Sequence, residues 1–79
     1  MTERDVAWWH IDDALARLPG WQATPAEYRA DTGRWYVTAV DSRRLERLTA
    51  RDVVVAAGAT EAEALEELAD RLEARAGAN

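Results

Sequence analysis

Glu63, Glu66, Glu67, Asp70 and Glu73 are spaced so that, on a helix, all five carboxylates fall on one contiguous arc. Such an arc attracts a basic surface, and complementary potential then supplies specificity and on-rate. It repels phosphate, because nucleic-acid binding rests on cationic contacts to the backbone. The competing account of the same residues is a solvated outer helix face.

A second group is Arg43, Arg44, Arg47 and Arg51, with Glu46 and Asp52 interspersed. The guanidinium fork matches carboxylate and phosphate oxygens, and a long loop in a small domain is more often functional than a short one. These arginines are read either as a partner contact or as surface ion pairs, each contributing about 0–1 kcal/mol. Trp9 is the third candidate. It points about 100° around the helix from Trp8, beside Asp12, Asp13 and Ala16. It is either an exposed interface anchor or a cover for the strand that follows Gly20. The candidate partner-binding residues are therefore Glu63, Glu66, Glu67, Asp70, Arg43, Arg44, Arg47 and Trp9.

Catalytic chemistry finds less material. The one histidine, His10, has Asp13 three residues on, whereas zinc requires three or four converging ligands. There is no cysteine, no glycine-rich phosphate loop, no nucleophile elbow and no paired-histidine motif. His10 is read as a helix-surface residue, and the chain as a non-enzyme without metal or cofactor.

These groups must be positioned by a chain of 79 residues with net charge −5, a single small domain. Without disulfides a core of this size needs large side chains, and four tryptophans fit that role. All ten basic residues are arginine, and the lysine-free, alanine-rich composition points to a bacterial or phage protein. No apolar run has the length of a membrane span and no signal-peptide pattern opens the chain. A cytoplasmic protein with no membrane partner is expected.

Residues 5–18 carry a helical stripe of Trp8, Ile11, Leu15 and Leu18, with Asp5 as cap and Pro19-Gly20 as stop. "RWYVTAVD" (34–41) reads as a strand. Asp31-Thr32-Gly33 forms the turn before it, and either "AEYRA" or "WQAT" the strand before that, which Pro25 places at an edge or lets begin there. Residues 42–52 read as a loop with a helical turn over 43–48, and "DVVVAAGA" as the third strand. Thr60 and Glu63 predict a capping box for a last helix that buries Leu65, Leu68, Ala69, Leu72 and Ala76 and stops at Gly77. The expected fold is α+β in the order α-β-β-β-α: a three-stranded antiparallel sheet with two helices packed on one face.

Gly33-Arg34-Trp35-Tyr36-Val37 and Gly58-Ala59-Thr60-Glu61-Ala62-Glu63-Ala64-Leu65 carry a resemblance. They resemble the hairpin and the "G-x-T-x-x-E-A-L" helix entry of HicB-type antitoxins. The element order is similar to that of the double-stranded-RNA-binding domain, and the resemblance covers residues 26–76. It implies the α-β-β-β-α fold and, from the antitoxin side, a protein partner. The RNA-binding family has lysines where this chain has Glu61, Ala62, Glu63 and Ala64. "ALARLPGW" (14–21) also resembles the opening of pterin-carbinolamine dehydratases, but their His-His-Pro segment has no counterpart here.

The function expected from the sequence is a protein-interaction or regulatory module, antitoxin-like or phage-encoded, with a basic protein partner. The alternative is a nucleic-acid-binding variant using the 42–51 loop, and a small enzyme comes third. Two helices cover only one sheet face, which would leave some of Tyr36, Val40, Val54 and Ala56 in water. Homodimerisation through that face, or through an unpaired edge, is expected from this.

Overall fold

The computed structural model describes residues 2–78. The first helix, α1 (Glu3–Leu15), begins one turn earlier than the stripe suggested. Thr2, not Asp5, is the N-cap; Asp5 completes a capping box by bonding back to the Thr2 backbone N–H. The buried face is Ala7, Ile11 and Ala14, while Trp8 and Leu15 flank the core. The helix closes before Leu18 because Pro19 disfavours a helical residue ahead of it. Tighter bonds from Arg17 and Leu18 to Ala14 and Leu15 still carry Leu18 into the core.

Both candidate first strands exist. β1 (Trp21–Ala23) and β2 (Glu27–Arg29) pair in succession along the same edge of the long strand β3 (Arg34–Asp41). Ala23 faces Ala39 and Glu27 faces Tyr36, so Thr24, Pro25 and Ala26 oppose only Val37 and Thr38. The extra residue is a β-bulge. It falls at Pro25, whose missing N–H could not serve the ladder. One edge strand is thus broken into two short pieces. The β2–β3 hairpin turns through Ala30–Gly33, with Gly33 at φ +68°.

β4 (Val53–Gly58) pairs antiparallel with the opposite edge of β3, from Trp35↔Gly58 to Val40↔Val53. The covered face holds Val37, Ala39, Val54 and Ala56, and the open face Tyr36, Thr38, Val40, Val53, Val55 and Ala57. The sequence reading thus placed Val54 and Ala56 on the wrong side: the register turns them inward and Val53, Val55 and Ala57 outward.

The last helix, α2 (Glu61–Ala78), covers β4 and β3 and packs along α1. Leu65, Leu68, Ala69 and Leu72 are buried as expected, Ala64 joins them and Ala76 is only partly buried, while Gly77 lies within the helix and does not end it. Two reversals of direction in the sheet, with one at each helix–strand junction, leave the two helices parallel. Their cross-links run in step: Arg4–Glu61, His10–Glu66 and Arg17–Glu73. The result is α+β, with α-β-β-β-α order when the broken β1/β2 edge counts as one strand: a helix layer on one face of an antiparallel sheet, with extents of 30 × 29 × 17 Å.

Candidate functional site

The acidic arc does not stand alone on an outer face. An open groove of about 520 Å³ lies between the two helices, lined by Thr2, Glu3 and Val6 at the start of α1 and by Ala62, Glu63, Glu66, Glu67 and Asp70 from α2. Val6 and Ala62 give it an apolar floor, and five carboxylates surround them. The parallel helices cause this arrangement by bringing two acidic N-terminal turns side by side.

Each carboxylate is held differently. Glu63 accepts a hydrogen bond from the Ala59 backbone N–H at 3.0 Å, while its own N–H donates to Thr60 Oγ1. The expected capping pair is therefore present, with the glutamate reaching one residue beyond the cap. Glu66 pairs with His10 Nδ1 at 2.9 Å across the helices. That hydrogen bond, then the Glu66 charge, raise the His10 pKa above 6.5, with smaller help from Glu73 and Asp13. His10 is exposed as expected, but it is tied to Glu66 rather than bare. Glu67 is bridged to Arg71 one turn on, at 2.9 Å. Glu73 lies beyond the groove, 3.7 Å from Arg17. Asp70 has no ion-pair partner among the described residues.

Trp9 is 59% exposed. It stands one turn beyond Val6, on the stripe Thr2, Val6, Trp9, Asp13. It is exposed and not a cover for the strand after Gly20, and helical spacing sets it on the same stripe as Val6. Glu63, Glu66, Glu67 and Asp70 line one groove, and Trp9 is exposed one helical turn beyond its Val6. The sequence reading missed Glu3, Val6 and Ala62, whose membership depends on the α1–α2 approach.

Arg43, Arg44 and Arg47 are elsewhere. Residues 42–52 fold as two 3-10 turns, Ser42–Arg47 and Ala50–Asp52, and the first lines a separate concavity of about 730 Å³. Asp41, only 4% exposed, organises the first. It accepts from the Arg43 backbone N–H at 3.1 Å and from Arg43 Nε and Nη2 at 3.0 Å each. These hydrogen bonds, led by the side-chain ones, hold the Asp41 pKa below 3.8 against the opposing effect of burial. Arg44 lies between Asp41 and Asp52, at 3.9 and 3.7 Å. Asp52 in turn accepts from Thr49 N–H and Oγ1. Two of the four arginines are thus structural partners of buried aspartates. Arg47 and Arg51 have no side-chain ion pair among the described residues, and Leu45 and Leu48 are exposed nearby.

The remaining tryptophans support the scaffold. Trp21 is buried beneath the Arg75 guanidinium, 4.5 Å from its ring, and Arg75 also donates to the Arg51 carbonyl. Trp35 is half-buried at the other end of the sheet, 5.6 Å from the Tyr28 ring. Among the described residues no three His, Asp or Glu side chains converge as a metal site, and no helix is long and apolar enough to cross a membrane. No protein family, curated protein or solved structure matches the chain.

Proposed function

We propose that this chain is a non-enzymatic protein-interaction module of a regulatory, antitoxin-like kind. Its partner places a basic, partly apolar segment in the groove between α1 and α2. The observation that carries this reading is the groove itself: an apolar floor of Val6 and Ala62 inside a rim of Glu3, Glu63, Glu66, Glu67 and Asp70, with Trp9 exposed alongside. A groove of apolar floor and charged rim suits an amphipathic helix presenting arginine or lysine beside one apolar row. The regulatory part is supported by the resemblance to HicB-type antitoxins at Gly33–Val37 and Gly58–Leu65. Occupation of Arg43 and Arg44 by Asp41 and Asp52 favours a protein over a nucleic-acid ligand.

The test uses a synthetic amphipathic helix of leucine and arginine, titrated calorimetrically at low and high salt. Binding is expected that weakens with salt and falls at least tenfold in Glu66→Gln/Glu67→Gln/Asp70→Asn. Equal affinity in that variant would overturn the groove reading. So would a gel shift of double-stranded RNA that disappears in Arg43→Ala/Arg44→Ala/Arg47→Ala.

A further inference from the structure

The two edges of the sheet are built on opposite principles. A free strand edge offers unpaired N–H and C=O groups to any other strand, and proteins blunt it with short strands, charges, proline and bulges. The β1/β2 edge uses all four. Its strands have three residues each, Pro25 and the bulge separate them, and Glu27 and Arg29 stand on it. β4 uses none. It is the six-residue run Val53-Val54-Val55-Ala56-Ala57-Gly58, without charge, proline or bulge, in unbroken register with β3. Among the described residues only β3 pairs with it. Its outward side chains, Val53, Val55 and Ala57, belong to the open face, and Val55 is 48% exposed.

We infer that β4 is a dimerisation edge, occupied by β4 of a second copy running antiparallel across a twofold axis. Two features of the strand name this occupant. A twofold pairing is self-complementary, so an edge that fits itself needs no partner of different sequence. The ends of β4 also differ in charge: the segment before it carries Arg43, Arg44, Arg47 and Arg51 against Asp41, Glu46 and Asp52, and Glu61 and Glu63 follow it. Antiparallel pairing sets the arginine end of each copy beside the glutamate end of the other, twice over. A parallel arrangement would set like against like. The dimer has one continuous antiparallel sheet, with both helix layers on the same side and the blunted β1/β2 strands as its outer edges. The inference rests on the strand edge and not on the groove, with which it shares only Glu63.

The absence of cysteine makes the seam directly testable. Sedimentation equilibrium of the full chain is expected to give twice the 8.8 kDa chain mass, shifting to the monomer in Val55→Lys with an unchanged circular dichroism spectrum. Single cysteines at Val53, Val55 and Ala57, tested alone and in mixed pairs under mild oxidation, are expected to cross-link at the seam. Thr38→Cys, on β3 of the same open face, is expected not to. A monomer at all concentrations, or a dimer unaffected by Val55→Lys, would overturn the proposal. Cross-linking through Thr38→Cys instead of β4 would also overturn it, because it would mark a face-to-face dimer. The Glu66→Gln/Glu67→Gln/Asp70→Asn variant should keep the dimer mass, which separates failure of the groove reading from failure of this one.

Discussion

Gly58 lies directly beneath the backbone of Ala64. A Cβ built on Gly58 would stand 2.5 Å from the Ala64 nitrogen and 2.8 Å from the Glu63 carbonyl carbon. The glycine is therefore required by the close approach of α2 to the end of β4 rather than by its own backbone angles, since only Gly20 and Gly33 have positive φ. The clash is with backbone, which cannot rotate away. Gly58→Ala is expected to destabilise the fold by about 1–3 kcal/mol, as overpacking does elsewhere. Gly77→Ala, with open space around it, should instead be neutral or slightly stabilising in a helix. Urea titrations of the two variants compare them directly.

The tie between His10 and Glu66 gives the helix pair a pH dependence. The pKa of His10 is raised in the folded state by Glu66, with Glu73 and Asp13 adding to the effect. Its contribution to stability is therefore fully present below the unfolded value near 6.5 and is lost as pH rises through the higher folded value. The melting temperature of the wild-type chain should show a downward step above pH 6.5 that is missing in His10→Gln. An identical pH profile for the two proteins would refute the tie.

Asp41 works in the opposite direction. Arg43 holds its pKa below 3.8, so the stabilisation is present above that value and lost as pH falls through the lower folded one. Arg43→Ala removes both side-chain bonds and leaves the buried carboxylate with the Arg43 backbone N–H and the more distant Arg44. The variant should unfold at a higher pH than wild type in an acid titration followed by circular dichroism. Asp41→Asn should flatten the same limb. Arg47→Ala, at a residue with no ion pair among those described, should change neither.

The elements were largely legible because their signals are local. Thr60, Glu63 and the run Leu65, Leu68, Ala69, Leu72 specify α2 by capping and period alone, and "RWYVTAVD" gave β3 residue for residue. The first strand was ambiguous for a physical reason. Pro25 breaks it, so both candidate segments pair with β3 and neither is the whole answer. Strand faces are misread at Val54 and Ala56 because only the pairing with β3 fixes which β4 side chains turn inward, and nothing in the apolar run itself distinguishes the two sides. The site divided in the same way. The arc of Glu63, Glu66, Glu67 and Asp70 follows from helical spacing, whereas its opposite wall, Glu3 and Val6, lies about sixty residues away and joins it only through the parallel packing of α1 on α2. Arg43 and Arg44 had the residue types of a binding site, yet their partners Asp41 and Asp52 sit at strand ends whose burial only the fold reveals.

Trp9 distinguishes an interface from a mere surface most sharply. At 59% exposure it contributes little to the core, so Trp9→Ala should change stability by no more than about 0.5 kcal/mol. Leu68→Ala, at a fully buried position, should cost about 2–5 kcal/mol. If the groove receives an amphipathic basic helix, the indole beside Val6 is positioned to cover its apolar row. An anchoring tryptophan typically contributes about 2 kcal/mol or more to binding. Trp9→Ala should then weaken the leucine–arginine peptide by roughly thirtyfold while leaving the salt dependence of the remaining binding intact, because the carboxylates are untouched. The matching neutralisation of Glu66, Glu67 and Asp70 should do the reverse, flattening the salt dependence while Trp9 still contributes its contact. A calorimetric titration of both variants at two ionic strengths separates the apolar and charged parts of the site. Unchanged peptide affinity in Trp9→Ala would remove the tryptophan from it.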